Sequence, residues 1–268
     1  MLEKDLTINN VSMHIRQSGQ GADAIVFLHG NSMSSGTWLP QLNDEKLQSQ
    51  YTLIAIDLPG HGKSGPMDEY TFASIKDMVV QLIRSLGLKS YLLVGISLGT
   101  CYAAEASASL PECKGYVLAS PCIVNDVKHP GTFFQEVPEM DIIFAEEAPA
   151  ERLQSLIDKL VVQKNDPLAN SIREGYSATD PKFRVALGEN AAAAKWSDEI
   201  ANLVHTNLPV LIMFGKEDPL LKIDYLDDYP LKWNDKTYVL EPAGHYINEE
   251  QPGVFNKLLT DYAAERFK

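Results

Sequence analysis

Short apolar runs punctuate the chain, each closed by turn residues: Ala24–Leu28, Leu53–Ile56, Tyr91–Gly95, Gly115–Ala119, Val210–Phe214 and Thr237–Leu240. They are continuous rather than alternating, as expected of strands covered on both faces of a mainly parallel sheet. Val11–Ile15 alternates more and predicts an antiparallel edge strand. Between the runs lie helical stripes. Ile75, Met78, Val79, Leu82, Ile83 and Leu86 recur at the spacing of one buried helix face, and Gly87 supplies a stop. Val254, Phe255, Leu258, Leu259 and Tyr262 repeat that stripe just after Pro252, a residue suited to opening a helix. Strands alternating with helices imply right-handed crossovers and an α/β doubly wound sheet.

One stretch breaks this rhythm. From about residue 121 to 204 no clear strand pattern appears, while Ala150–Val162 and Asp198–Val204 are Glu/Ala/Leu-rich and several prolines intervene. A structureless loop of that length is improbable in a compact domain. The expected organisation is an α/β core made of residues 1–120 and 205–268, with a helical cap, residues 121–204, inserted over the carboxyl edge of the sheet.

Composition narrows the function. The 268 residues carry 23 Lys and Arg against 36 Asp and Glu, a formal charge of −13. Such a surface repels phosphate backbones and anionic headgroups, so neither nucleic acid nor membrane is an expected partner. The start, Met1-Leu2-Glu3-Lys4-Asp5, lacks a basic segment followed by an apolar one, and no secretory leader is expected. Three cysteines, Cys101, Cys113 and Cys122, without C-x-x-C spacing suggest reduced thiols and a cytoplasmic protein. No H-E-x-x-H, no G-x-x-x-x-G-K-[ST] and no G-x-G-x-x-G after a strand occurs, so no metal and no cofactor are expected. The oligomeric state is not fixed by the sequence.

The chemistry centres on Gly95-Ile96-Ser97-Leu98-Gly99, a G-x-S-x-G motif between an apolar run and a helix of small residues. That is the strand–turn–helix setting of a nucleophile elbow, in which glycines leave room for a sharp turn that holds the serine strained. The helix start aims N–H groups at an oxyanion forming beside Ser97. The alternative role for Ser97 is a plain helix cap.

A nucleophilic serine needs a base and the base a carboxylate. Of six histidines, His245 follows the last predicted strand in Glu241-Pro242-Ala243-Gly244-His245. Loops at the carboxyl ends of parallel strands are where ligands meet such sheets. His14, His61, His129 and His205 read as packed or solvated, and His29 as a brace for its own loop. Asp218 follows the run Val210–Phe214, with Glu217 and Asp126 as rival carboxylates. The order Ser97, Asp218, His245 is the one expected on this architecture. The backbone N–H groups of Asn31 and Leu98 are the candidate oxyanion hole. Tyr102, Trp38, Phe133, Phe134, Tyr176 and Trp196 are candidates for an apolar pocket wall, with core packing as the alternative.

Taken together, His29-Gly30-Asn31-Ser32, Asp57-Leu58-Pro59-Gly60-His61-Gly62-Lys63-Ser64, the serine motif, Gly215-Lys216-Glu217-Asp218-Pro219 and Ala243-Gly244-His245 resemble the α/β-hydrolase family. Within it the chain is similar to the N-acyl-homoserine lactonases of this fold, again at Trp233-Asn234-Asp235-Lys236-Thr237. The resemblance carries a nucleophile to Ser97, a base to His245 and an oxyanion-loop residue to Asn31. It implies hydrolysis of a small-molecule ester or lactone. Two positions depart: those lactonases have glutamate where this chain has Asp218, and tryptophan where it has Ile96. The same fold also carries carbon–carbon bond hydrolases, thioesterases and catalytically weak ligand receptors, which serine at the elbow leaves in play.

Overall fold

The computed structural model describes residues 1–163 and 166–268, so positions 164 and 165 of the expected insertion lie outside the described residues. Its strands are β1 (Leu2–Ile8), β2 (Val11–Ser18), β3 (Ala24–Leu28), β4 (Thr52–Ile56), β5 (Tyr91–Ile96), β6 (Cys113–Ala119), β7 (Val210–Gly215) and β8 (Lys232–Leu240). They form one sheet in the order β1-β2-β4-β3-β5-β6-β7-β8. From β4 to β8 every pairing is parallel, while β2 pairs antiparallel with both β1 and β4. Each residue of β3, β5 and β7 is buried, which is why those runs show no alternation.

Two strand expectations need correction. The strand at Val11 is antiparallel but lies inside the sheet, because β1 covers it. Ile8 pairs with Val11 across Asn9 and Asn10, both at positive φ (48° and 66°). A two-residue loop with positive φ at both positions matches the strand twist, and asparagine tolerates it better than most residues. The run Leu2–Thr7 is mostly polar and largely exposed, and its two leucines are too weak a pattern to predict a strand. At the other edge, β8 begins at Lys232 rather than Thr237. Its polar Asn234 and Asp235 sit at positive φ beside a register shift against β7, so the hydrophobic pattern starts late.

The helical stripes take the faces expected of them. Phe72–Ser85 opens with a reciprocal Thr71/Ser74 cap and buries Ile75, Met78, Val79, Leu82 and Ile83. Gly87 follows at φ +64°, the left-handed position that ends a helix. Pro252–Arg266 buries Phe255, Leu259 and Tyr262, but Val254 is exposed, so its apolar face is narrower than the sequence suggests. Trp38 lies in the core against Phe27 and Phe255, with ring centroids 4.9 and 6.0 Å away. Truncating it to alanine would cost about 3–5 kcal/mol.

Between β6 and β7 the described chain forms Pro130–Phe133, Ala150–Leu160, Asp166–Ala178, Pro181–Ala192 and Glu199–His205. Arg184, almost fully buried, ties these segments together. Its guanidinium donates to the carbonyls of Ala145 (2.8 Å), Tyr176 (3.0 Å) and Glu146 (2.7 Å) and lies over the Tyr176 ring. The helices are also fastened to the sheet loops. Asp180 N–H donates to Gly60 O at 2.8 Å, Tyr70 Oη donates to the Asp180 carboxylate at 2.8 Å, and Asn190 donates to Tyr70 O at 2.8 Å.

Candidate active site

β5 runs straight into a strained residue. Ser97 has φ +51° and ψ −126° and heads the helix Leu98–Ala106. A Cβ on Gly95 would lie 2.5 Å from the Gly99 carbonyl, and one on Gly99 would lie 2.4 Å from Leu28 O. Neither position has room for a side chain, so both glycines of the motif follow from the close passage of strand and helix. The Ser97 side chain makes no capping hydrogen bond; instead the Thr100 hydroxyl and N–H close the first turn on Ser97 O. The plain-cap reading is thereby set aside, and the strained serine keeps its hydroxyl unengaged.

β7 delivers the carboxylate. Asp218 is buried; its Oδ1 accepts from the N–H groups of Leu220 (2.8 Å) and Leu221 (3.3 Å), and its Oδ2 lies 2.9 Å from His245 Nδ1. Gln135 holds the same turn from outside, donating to the carbonyls of Asp218 (2.7 Å) and Leu221 (2.9 Å). Neither rival bonds His245: Glu217 is exposed and accepts from Ala243 N–H, and Asp126, in the loop after β6, is exposed and lines the large cavity that Ser97 also lines. With Nδ1–H donating to Asp218, the imidazole offers Nε2 as a lone pair.

The loop carrying His245 is held by partners far away in sequence. Ser120 Oγ donates to His245 O at 2.9 Å. Glu250 Oε2 accepts Gly244 N–H at 2.7 Å, while its Oε1 accepts Val162 N–H (2.7 Å) and Gln163 N–H (3.0 Å). One carboxylate thus joins the histidine loop to the segment after the helix Ala150–Leu160. Sequence reasoning missed Ser120, Gln135 and Glu250. None belongs to a local motif, and their partners lie 83 to 125 residues away for all but Gly244.

The loop after β3 completes the rim. His29 donates from Nδ1 to Gly30 O (2.8 Å) and accepts Leu58 N–H at Nε2 (2.9 Å). Both ring nitrogens are occupied and burial lowers its pKa, so it stays a neutral brace, as expected. Asn31 uses its side chain on Ile143 O (2.8 Å) and Ser32 Oγ (3.1 Å). Among the described residues the backbone N–H groups of Asn31 and Leu98 have no intramolecular acceptor. The turn from Asp57 to Ser64 folds around its own carboxylate: Asp57 accepts the N–H groups of Ser35 and Lys63, which leaves no cradle for phosphate.

Ser97 lies on two cavities. A small one of about 60 Å³ is shared with His245, Asn31 and Tyr176 and walled by Leu153, Leu156 and Leu160. A large one of about 620 Å³ is shared with Leu98 and Asn31 and walled chiefly by apolar side chains. Of the aromatic candidates, Phe133, Phe134 and Trp196 line the large cavity and Tyr176 the small one, whereas Trp38 and Tyr102 are core residues. Ser97 and His245 face the same space, but no hydrogen bond joins Ser97 Oγ to His245 Nε2 in this structure. Such bonds are often long before substrate arrives.

Comparison with known proteins sets this geometry in a family. The chain is 25% identical over 94% of its length to the dihydrolipoyllysine-residue acetyltransferase component of the acetoin cleaving system of Cupriavidus necator, of which it spans 66%. It is 26% identical to 2-(acetamidomethylene)succinate hydrolase of Mesorhizobium japonicum, covering 97% of this chain and 95% of that one. The crystal structure of the N-acyl homoserine lactonase AidH complexed with N-butanoyl homoserine superposes with a TM-score of 0.89 at 25% identity, over 98% of this chain and 96% of that one. The sequence pattern of the alpha/beta hydrolase fold matches residues 23–252, nearly the whole chain, and the protein therefore belongs to the alpha/beta hydrolase family.

Proposed function

We propose that this protein is a serine hydrolase of small carboxylic esters or lactones, with Ser97, His245 and Asp218 as its catalytic triad. The carrying observation is the buried Asp218–His245 hydrogen bond at 2.9 Å, on a loop that shares one cavity with the strained, uncapped Ser97. Ser97 Oγ attacks the carbonyl carbon as His245 Nε2 removes its proton, and Asp218 fixes the tautomer and stabilises the imidazolium. The N–H groups of Asn31 and Leu98 receive the oxyanion, each worth about 3 kcal/mol of barrier. The imidazolium then protonates the leaving alkoxide, and His245 activates the water that releases the acid. We read residues 121–204 as a cap that closes both cavities over Ser97.

His245 lines the small cavity and not the large one, so the leaving alcohol belongs on the small side and the acyl portion in the large cavity. An apolar volume of about 620 Å³ suits an extended acyl group, and an N-acylated lactone is the form of substrate that the structural likeness to a lactonase favours. The protein is taken to work on a diffusible substrate in the cytoplasm; among the described residues no helix is long and apolar enough to cross a membrane.

The test pairs a fluorophosphonate label with turnover. Wild type is expected to be labelled stoichiometrically, to hydrolyse p-nitrophenyl esters over many cycles, and to release protons from acyl-homoserine lactones. Labelling without turnover would instead mark a receptor on a hydrolase scaffold, and unchanged turnover by Ser97→Ala would end the serine mechanism.

A further inference from the structure

Two nucleophilic side chains beside Ser97 take no part in the mechanism. Cys101 stands one helical turn past Ser97, about 6 Å along the axis of the helix Leu98–Ala106. Cys122 lies in the loop after β6. The chain separates them by 21 residues, yet their sulfurs are 3.5 Å apart, and both residues line the large cavity with Ser97. Cys101 is buried and its thiol donates to Cys122 O at 3.3 Å, whereas Cys122 is only partly buried. The third cysteine has no such neighbour. Cys113 begins β6, about 20 Å of strand before its end, and its thiol donates to Gly115 O at 3.3 Å.

The sulfurs sit on segments that are braced and wired to the proposed triad. Glu199, fully buried beside Cys101, accepts Val124 N–H on Oε2 and donates its own N–H to Val124 O, both at 3.0 Å. That pins the loop two residues past Cys122. Cys122 N–H donates to Thr100 Oγ1 at 3.2 Å, and that hydroxyl donates to Ser97 O at 2.6 Å. Two residues before Cys122, Ser120 Oγ donates to His245 O at 2.9 Å. Bonded sulfurs lie about 2 Å apart, so joining these two closes a gap of about 1.5 Å between helix and loop. The pull passes through Thr100 to the carbonyl of Ser97 and through Ser120 to the carbonyl of His245.

We propose that Cys101 and Cys122 are an oxidation site, a dithiol that a peroxide converts to a disulfide, and that this disulfide slows the reaction of Ser97. A peroxide in the large cavity meets Cys122 first. The Cys122 sulfur takes one peroxide oxygen, the O–O bond breaks, and one water leaves behind a sulfenic acid. Cys101 Sγ then attacks that sulfur; the S–O bond breaks, and hydroxide departs with the Cys101 proton as a second water. Two thiols are oxidised to one disulfide and one peroxide is reduced to two waters, and a dithiol reductant reverses the change. Cys101, being buried, needs to reach only the sulfur it already touches. That contact favours closure over further oxidation of Cys122 to a sulfinic acid. The effect on ester turnover rests on the serine hydrolase reading; formation of the disulfide does not.

The experiment treats the reduced full chain with hydrogen peroxide, blocks remaining thiols with iodoacetamide, and maps peptides by mass spectrometry. Wild type is expected to lose two of its three free thiols and to yield a Cys101–Cys122 cross-linked peptide, with Cys113 alkylated. The rate of fluorophosphonate labelling at Ser97 and the turnover of p-nitrophenyl acetate should each fall about tenfold, and dithiothreitol should restore both. In Cys122→Ala peroxide should leave each rate at the value of the same variant before treatment. Cys101→Ala should instead accumulate the sulfenic acid on Cys122, trapped by dimedone. In wild type, sulfinic acid on Cys122 with Cys101 still free would overturn the site, a result that needs no variant to fold. A disulfide that leaves labelling and turnover unchanged would overturn the effect on Ser97. A disulfide that slows labelling of a protein without esterase turnover keeps the proposal and removes the hydrolase reading.

Discussion

Toward His245, Ser97 faces a wall in which polar groups are matched: Asp218 accepts two N–H groups and engages the imidazole, and Glu250 accepts three N–H groups. Toward Phe133 and Trp196 it faces a chamber ten times larger, about 620 against 60 Å³, where apolar side chains dominate. On the function proposed above, the difference separates two tasks. Proton transfer needs groups held within a few tenths of an ångström, and dense hydrogen bonding with little free volume provides that. Accepting a substrate needs room and a small number of oriented polar contacts, which is what the second side offers.

Breaking the matched side should have the larger effects. Ser97→Ala is expected to lower kcat on p-nitrophenyl esters by about 10⁵-fold or more, read in the steady state with a fluorophosphonate control. Asp218→Asn keeps the shape of the turn but favours the wrong tautomer of His245; a fall of about 10³–10⁴-fold in kcat is expected with KM little changed. A much smaller fall would move the orienting role to another group. Glu250→Gln removes acceptor capacity from three N–H groups at the junction of the histidine loop and Val162. It should lower kcat about tenfold and stability by about 1–3 kcal/mol, measured by urea unfolding alongside kinetics.

The open side should respond in selectivity rather than rate. Ala191→Phe narrows the large cavity, which Ala191 lines, and should cut kcat/KM for an octanoyl ester about tenfold relative to an acetyl ester. A uniform change across chain lengths would place the acyl group elsewhere. The smallest effect on activity concerns Glu249, whose carboxyl burial pushes its pKa from 4.5 to about 7, against the bond donated by Thr37 Oγ1. The folded state holds this proton more tightly than the unfolded chain, so stability falls as pH rises from about 4.5 to about 7. Glu249→Gln keeps the acceptor without the charge, and its advantage over wild type in unfolding free energy, read from urea titrations, should be larger at pH 8 than at pH 5 by about 2–3 kcal/mol.

Legibility differed in the same way between the two sides. The elbow at Ser97 could be read because its requirements are local: two glycines that cannot carry a Cβ, a strand before and a helix after. Asp218 could be read because it closes the buried run of β7 with a short loop, and His245 because its loop follows the last strand, β8, although that edge strand is only partly buried. The β1 hairpin escaped because its strand residues are polar and exposed, although Asn9 and Asn10 mark its turn. Glu250, Ser120 and Gln135 escaped because nothing near them in sequence hints at the groups they hold. Glu199 escaped for a further reason: in the sequence it is one acidic residue among 36 Asp and Glu, and only its burial makes it unusual.

By itself the order of residues determined the alternation of strands and helices, the strained serine between two glycines, and three candidate carboxylates for one histidine. Those features depend on sterics and periodicity acting over a handful of neighbours. Tertiary structure alone decided that Asp218 rather than Glu217 or Asp126 meets His245, that Trp38 and Tyr102 belong to the core while Trp196 lines a cavity, and that Glu199 is fully buried. The reason is that hydrogen-bond choice and loss of solvent depend on which distant segments come together, and that is settled only when the whole chain has packed.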